Sequence, residues 1–124
     1  MSDEDWSPAD LLAVSYIRVA SADSDDAAVP VERQRAQIAL AAERLGLRLA
    51  EEFVDVGHSG MSMDRPGLRH LLDHVTHRQV GYCVVAAADR LSRDPEDIAD
   101  IDEALSDALV VVLVAADHIG PTVP

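Results

Sequence analysis

Apolar residues in this chain fall into four short runs separated by three stretches of helical spacing. The first run, Leu11 to Ala20, carries Val14, Tyr16, Ile17 and Val19, all strand-favouring, and is apolar on both faces, as a strand inside a parallel sheet must be. The second, Leu47 to Val56, alternates at first and ends in Phe53-Val54-Asp55-Val56. The third, Tyr82 to Ala86, and the fourth, Leu109 to Ala115, are continuous; the fourth is expected to be fully buried. Between the first two runs, Val31, Gln34, Ile38, Ala41 and Leu45 recur at helical spacing after Pro30, and Gly46 supplies a stop. A second stripe, Leu68, Leu71, Leu72 and Val75, follows Asp64-Arg65-Pro66-Gly67, where Asp64 is the expected N-cap. A third, Ile98, Ile101, Leu105 and Ala108, follows Asp94-Pro95-Glu96-Asp97, an Asp cap with Pro at the first helical position.

The order is β-α-β-α-β-α-β. Short right-handed crossovers then give a three-layer α/β domain, a mostly parallel sheet of four to five strands flanked by helices. Residues 1–10 read as a flexible acidic tail, 11–116 as the domain and 117–124 as a C-terminal tail, with no DNA-binding domain. No internal repeat is visible.

Composition narrows the picture. The 124 residues suit one domain, and 48% hydrophobic with 3% aromatic residues means an aliphatic core. The net charge is −13, and all 10 basic residues are arginine. That balance opposes nonspecific DNA binding by the domain alone, which needs a cationic face. It leaves room for a small arginine cluster in an acidic shell. Cys83 is the only cysteine, so no internal disulfide forms, and its apolar surroundings mark it as core. The N-terminus has no basic or apolar leader pattern, and the run Leu109 to Ala116 is too short to span a bilayer. A soluble cytoplasmic protein with no membrane contact is expected. His70, His74 and His77 have a spacing that could hold a metal, but no carboxylate or cysteine signature accompanies them, so a solvent-facing stripe with no metal and no cofactor is the expectation.

Candidate chemistry lies at strand ends. Arg18 interrupts the first run near its carboxyl end, where an unpaired charge is costly. Asp89-Arg90-Leu91-Ser92-Arg93-Asp94 stands where the third strand hands over to a helix. Ligands bind at the carboxyl ends of strands in open α/β sheets, and guanidinium forks suit phosphate. Both features point to an oxyanion site. The competing readings are surface Arg–Asp pairing for the loop and a salt bridge from Arg18 to a core-edge aspartate. Gln34 faces the side of the apolar stripe and belongs either to the core edge or to a ligand near the sheet's end.

Four segments, Tyr16-Ile17-Arg18-Val19, Asp55-Val56-Gly57-His58-Ser59-Gly60, Asp64-Arg65-Pro66-Gly67-Leu68 and Asp89-Arg90-Leu91-Ser92-Arg93, stand in this order. Together they resemble the catalytic domain of the serine site-specific recombinases, the resolvase/invertase family, over about Val14 to Ala115. The resemblance implies DNA as partner and DNA strand exchange: a serine attacks the scissile phosphate and links to the 5′ end, without a metal. By position, Arg18, Arg65, Arg90 and Arg93 would be the phosphate-binding arginines, where preorganised donors answer charge developing on phosphate oxygens. Asp89 would position or exchange protons with its neighbours. Asp55 would be a supporting carboxylate, and Gln34 matches a family glutamine on the first helix.

One departure bears on mechanism. The family pattern at the first strand is Tyr-x-Arg-Val-Ser, and the serine is the nucleophile. Here that position is Ala20. Ser21 follows, but in an extended strand its side chain points to the opposite face. It could act as the catalytic nucleophile only if the strand ended or bulged at Ala20. Ser59 and Ser92 are not nucleophile positions in the family. Family members also continue into a long dimerisation helix and a DNA-binding domain. The expectation is an impaired or inactive catalytic domain. The alternatives are a non-catalytic interaction or regulatory module, as a homo-oligomer or with a full-length recombinase, and a flavodoxin-like domain holding a small phosphorylated ligand.

Overall fold

A computed structural model describes residues 11–19, 28–56, 66–87 and 95–119. Four strands, β1 (Leu12–Val19), β2 (Arg48–Val56), β3 (Tyr82–Val85) and β4 (Val111–Val114), alternate with helices α1 (Ala28–Leu45), α2 (Pro66–His77) and α3 (Pro95–Asp107), and the short helix α4 (Ala116–Ile119) follows β4. All three strand pairings are parallel, in the order β2-β1-β3-β4. The expected three-layer α/β architecture is present, with four strands among the described residues.

β1 is one of the two inner strands, and its alternate side chains feed two cores. Val14 and Tyr16 pack with Leu68, Leu71, Val75, Ile101 and Leu105, so α2 and α3 cover that face. Ala13 and Ile17 pack with Ile38, Ala41 and Ala115, so α1 covers the other. From β1 the chain steps to β2 by way of α1; from β2 it steps back past β1 to β3 by way of α2. Opposite directions on opposite faces give both crossovers the same hand. They also place a topological switch point at the carboxyl end of β1, the usual position of a ligand crevice.

The outer edge of β2 is blunted. Its register slips between Ala13 and Val14 of β1, leaving Ala50 without a counterpart. The Arg35 guanidinium forks onto the Glu52 carboxylate, with Nε–Oε1 at 2.9 Å and Nη2–Oε2 at 2.8 Å. Charges and bulges are the usual protection of a free edge.

Three features differ from the pattern. Ile98, expected on the buried stripe of α3, is 36% exposed, while Ile101 and Leu105 are buried. A helix of 13 residues is about 20 Å long, whereas a strand of 4 residues spans only about 13 Å, so the first turn of α3 overhangs the sheet. The fourth strand is also not fully buried: Leu109 is 82% and Val111 53% exposed. Leu109 instead closes α3. Val110 N donates to Leu105 O at 2.8 Å and Leu109 N to Ser106 O at 2.9 Å, a Schellman motif with Leu109 in the left-handed region at φ 62°. The same motif ends α1, where Gly46 sits at φ 73° and leaves the stripe residue Leu45 exposed. Finally, residues 116–119, expected mostly in the tail, form the turn of helix α4, and Arg44 of α1 reaches His118 O at 3.5 Å. No described helix is long and apolar enough to cross a membrane.

Candidate active site

Tyr16 and Arg18 are two residues apart on β1 and share a face. Their register partners on β2 are Phe53 and Asp55, which share that face because parallel neighbours align. Arg18, at 1% exposure, is the largest of the fully buried side chains. A guanidinium is retained in such a place only when its donors are engaged. Asp55, itself 3% exposed, stands directly opposite on the neighbouring strand.

Asp55 is bound from three sides. The Tyr16 hydroxyl donates to Oδ2 at 2.6 Å, Gly67 N donates to Oδ1 at 2.8 Å, and Leu68 N donates to Oδ2 at 3.0 Å. Gly67 and Leu68 are the second and third residues of α2, so their N–H groups are those an N-cap side chain normally satisfies. The sequence assigned that service to Asp64; the structure assigns these two donors to Asp55, a residue of β2. The carboxylate also meets the positive end of the helix dipole. The approach is close enough to require glycine. A Cβ on Gly67 would lie 2.7 Å from Val54 O and 2.9 Å from Asp55 Oδ2.

From the opposite face, α1 contributes Gln34, which is 4% exposed. Its Nε2 donates to the Arg18 carbonyl at 3.0 Å. Its Oε1 is buried without a hydrogen-bond partner. Arg18, Gln34 and Asp55 therefore meet at the carboxyl end of β1. Ser21, Arg65, Asp89, Arg90 and Arg93 lie outside the described residues, as do Ala20, Ser59, Asp64 and Ser92. Along the chain, Arg65 immediately precedes Pro66, the first residue of the helix that Asp55 holds.

Tyr16 and Gly67 belong to this arrangement although neither was singled out as a site residue. Tyr16 could have been found from its spacing to Arg18, which puts both on one face of the strand. Gly67 had only a Pro-Gly pair at a helix start. The remaining candidates find structural uses. Cys83 is buried, and burial pushes its thiol up to about 12, which makes it a core residue. The His74 ring meets Phe53 edge-on with centroids 5.6 Å apart.

Comparison with known proteins follows the same lines. The family described as Resolvase, N terminal domain, matches residues 13–123. No match is found among curated proteins. Among solved structures, the C-terminal catalytic domain of ISC1926 TnpA, an IS607-like serine recombinase, is 31% identical with a TM-score of 0.74, covering 84% of this chain and 70% of that one. The N-terminal catalytic domain of TP901-1 integrase is 21% identical with a TM-score of 0.73, covering 86% and 78%. A resolvase family site-specific recombinase from Streptococcus pneumoniae is 18% identical with a TM-score of 0.73, covering 87% and 74%. The last two speak to the fold alone. With its parallel sheet, its buried Arg18 and a family match across nearly its whole length, the chain belongs to the resolvase family and has the fold of a serine recombinase catalytic domain.

Proposed function

We propose that this domain binds a DNA phosphate in a pocket centred on Arg18 and, with alanine at position 20, forms no phosphoserine bond to it. The observation that carries the reading is a fully buried arginine at the carboxyl end of β1, two residues before Ala20. Arg65, Arg90 and Arg93 complete the anion cradle, and Asp89 orients them. Asp55 acts at one remove: it fixes the start of the helix that Arg65 leads into. Guanidinium groups held in place in advance stabilise a phosphorane-like charge without reorganisation, but a methyl group at the attacking position offers no nucleophile. A domain of this kind serves as a non-catalytic subunit, pairing with itself or with an active recombinase on DNA. Where the partner is an active recombinase, that partner adds the cationic surface that a chain of net charge −13 lacks.

The test is covalent capture. The protein is incubated with a pool of duplexes randomised at the centre and nicked so that a cleaved strand diffuses away. Adducts that survive detergent are then counted. The wild-type chain is expected to give none, and Ala20→Ser to give adducts that persist when Ser21→Ala is added. A wild-type adduct that disappears in Ser21→Ala would overturn the proposal and make Ser21 the nucleophile. No adduct from Ala20→Ser would count against the phosphate pocket.

A further inference from the structure

We infer that Gln34 is a positioning residue of the phosphate pocket, acting on bound phosphate through Arg18 without touching it; this rests on the reading of Arg18 as a phosphate ligand. Gln34 occupies a place on α1 that its neighbours fill with aliphatic side chains, Val31 on one side and Ile38 and Ala41 on the other, and all three of these pack against the sheet. An amide there is explained by its bond. Nε2 donates to the carbonyl of Arg18 at 3.0 Å.

That carbonyl lies on a stretch of β1 with reduced support. Pairing with β2 continues to Val19, but pairing with β3 stops at Tyr16. Among the described residues, strand pairing beyond Tyr16 runs along β2 alone, and Gln34 adds a hydrogen bond to this stretch from the helix above. The fixed segment is the one from which the Arg18 side chain projects and from which the chain departs toward position 20. Displacements of a fraction of an ångström in such a scaffold change how donors meet an anion.

The other end of the amide supports the same reading. Oε1 is buried and unpartnered. A buried acceptor without a donor is a destabilising feature, and native proteins keep few of them. Here it comes with the donor, since an amide is the side chain that reaches a backbone carbonyl with a neutral N–H. Oε1 also repels the oxygens of a phosphate, which accept hydrogen bonds as it does. A residue present for packing would be better as methionine, and one present as a phosphate ligand would not commit a donor to the backbone.

Nuclear magnetic resonance of the isotope-labelled full chain, titrated with inorganic phosphate, tests this together with thermal unfolding. In the wild-type chain, phosphate is expected to move the Arg18 Nε–H signal and leave the Gln34 side-chain amide signals in place. In Gln34→Met the phosphate dissociation constant is expected to rise by about tenfold, the effect seen when the supporting partner of an ion-binding side chain is removed. The unfolding temperature is expected to change little, because the orphan acceptor is removed as the Arg18 carbonyl loses its donor. Gln34→Glu, which faces an acceptor toward the Arg18 carbonyl, is expected to weaken phosphate at least as much. Gln34 amide signals that move with phosphate would make Gln34 a ligand and overturn the inference. An unchanged dissociation constant in Gln34→Met, or a loss of binding that merely follows a fall in unfolding temperature, would overturn it as well. If Arg18 in the wild-type chain does not respond to phosphate, the pocket reading itself fails and the inference with it; a normal Arg18 response that ignores Gln34→Met sinks the inference alone.

Discussion

The Tyr16 hydroxyl and the Asp55 carboxylate are joined at 2.6 Å between adjacent strands, and the same carboxylate holds Gly67 N and Leu68 N at the start of α2. One side chain thus ties β1, β2 and α2 together beside Arg18. Replacing it leaves three buried donors without an acceptor. Asp55→Ala is expected to cost about 3 kcal/mol and Tyr16→Phe about 1–2 kcal/mol, each read from urea unfolding at neutral pH. The double variant is expected to fall short of the sum by about 1 kcal/mol, because both single variants lose the same Tyr16–Asp55 bond. Strict additivity would mean that the two groups do not share this bond.

Gly67 gives a prediction whose sign is diagnostic. Helix propensity alone favours alanine over glycine inside a helix by about 1 kcal/mol. The added methyl would lie 2.7 Å from a backbone oxygen, which moves only if the β2 chain moves. The clash is expected to win, and Gly67→Ala is expected to destabilise the domain by about 1–3 kcal/mol on thermal or urea unfolding. A stabilised variant would show that α2 does not sit this close to β2.

The residues of this corner were legible from the sequence to different depths for physical reasons. A parallel sheet buried on both faces leaves continuous aliphatic runs, so β1, β3 and the order of elements could be read directly. Arg18 and Gln34 could be read because they break apolar patterns, and a polar residue in such a place needs a partner. The partners themselves could not be read. Capping rules look within a few residues, so they pointed to Asp64, whereas the acceptor comes from a strand that enters the helix start through tertiary packing. In the same way, an apolar stripe says which face of α3 turns inward but not how far the sheet extends beneath it, and so it could not tell that Ile98 overhangs.

Leu109 shows where the sequence works against the fold. Both α1 and α3 end in the same hydrogen-bond pattern, but α1 places glycine at the left-handed position and α3 places leucine, 82% exposed at φ 62°. A left-handed backbone costs a non-glycine residue roughly 1–2 kcal/mol, and the extra freedom of glycine in the unfolded chain takes back roughly half of that. Leu109→Gly is therefore expected to raise stability by about 0.5–1 kcal/mol, measured by thermal unfolding, while Gly46→Leu, the reciprocal change, lowers it. If Leu109→Gly destabilises, the exposed leucine is held by contacts that offset its strain.

Cys83 provides a prediction at high pH. Burial pushes its thiol up to about 12 from an ordinary 9.0. Between those values the folded state keeps a proton that the unfolded chain gives up, so the stability contribution is full below about pH 9 and is lost as pH rises through this window. The loss runs at about 1.4 kcal/mol per pH unit. Cys83→Ala removes the titration and adds a constant packing penalty of about 1–2 kcal/mol. The gap between the two unfolding free energies is accordingly expected to narrow by about 1.4 kcal/mol between roughly pH 9.5 and pH 10.5, whatever the shared tyrosines and arginines do. Thiol reagents at about pH 8 are expected to modify Cys83 only at the rate of unfolding. A gap that stays constant with pH, or rapid labelling of the native protein, would place the thiol within reach of water and reopen its chemistry.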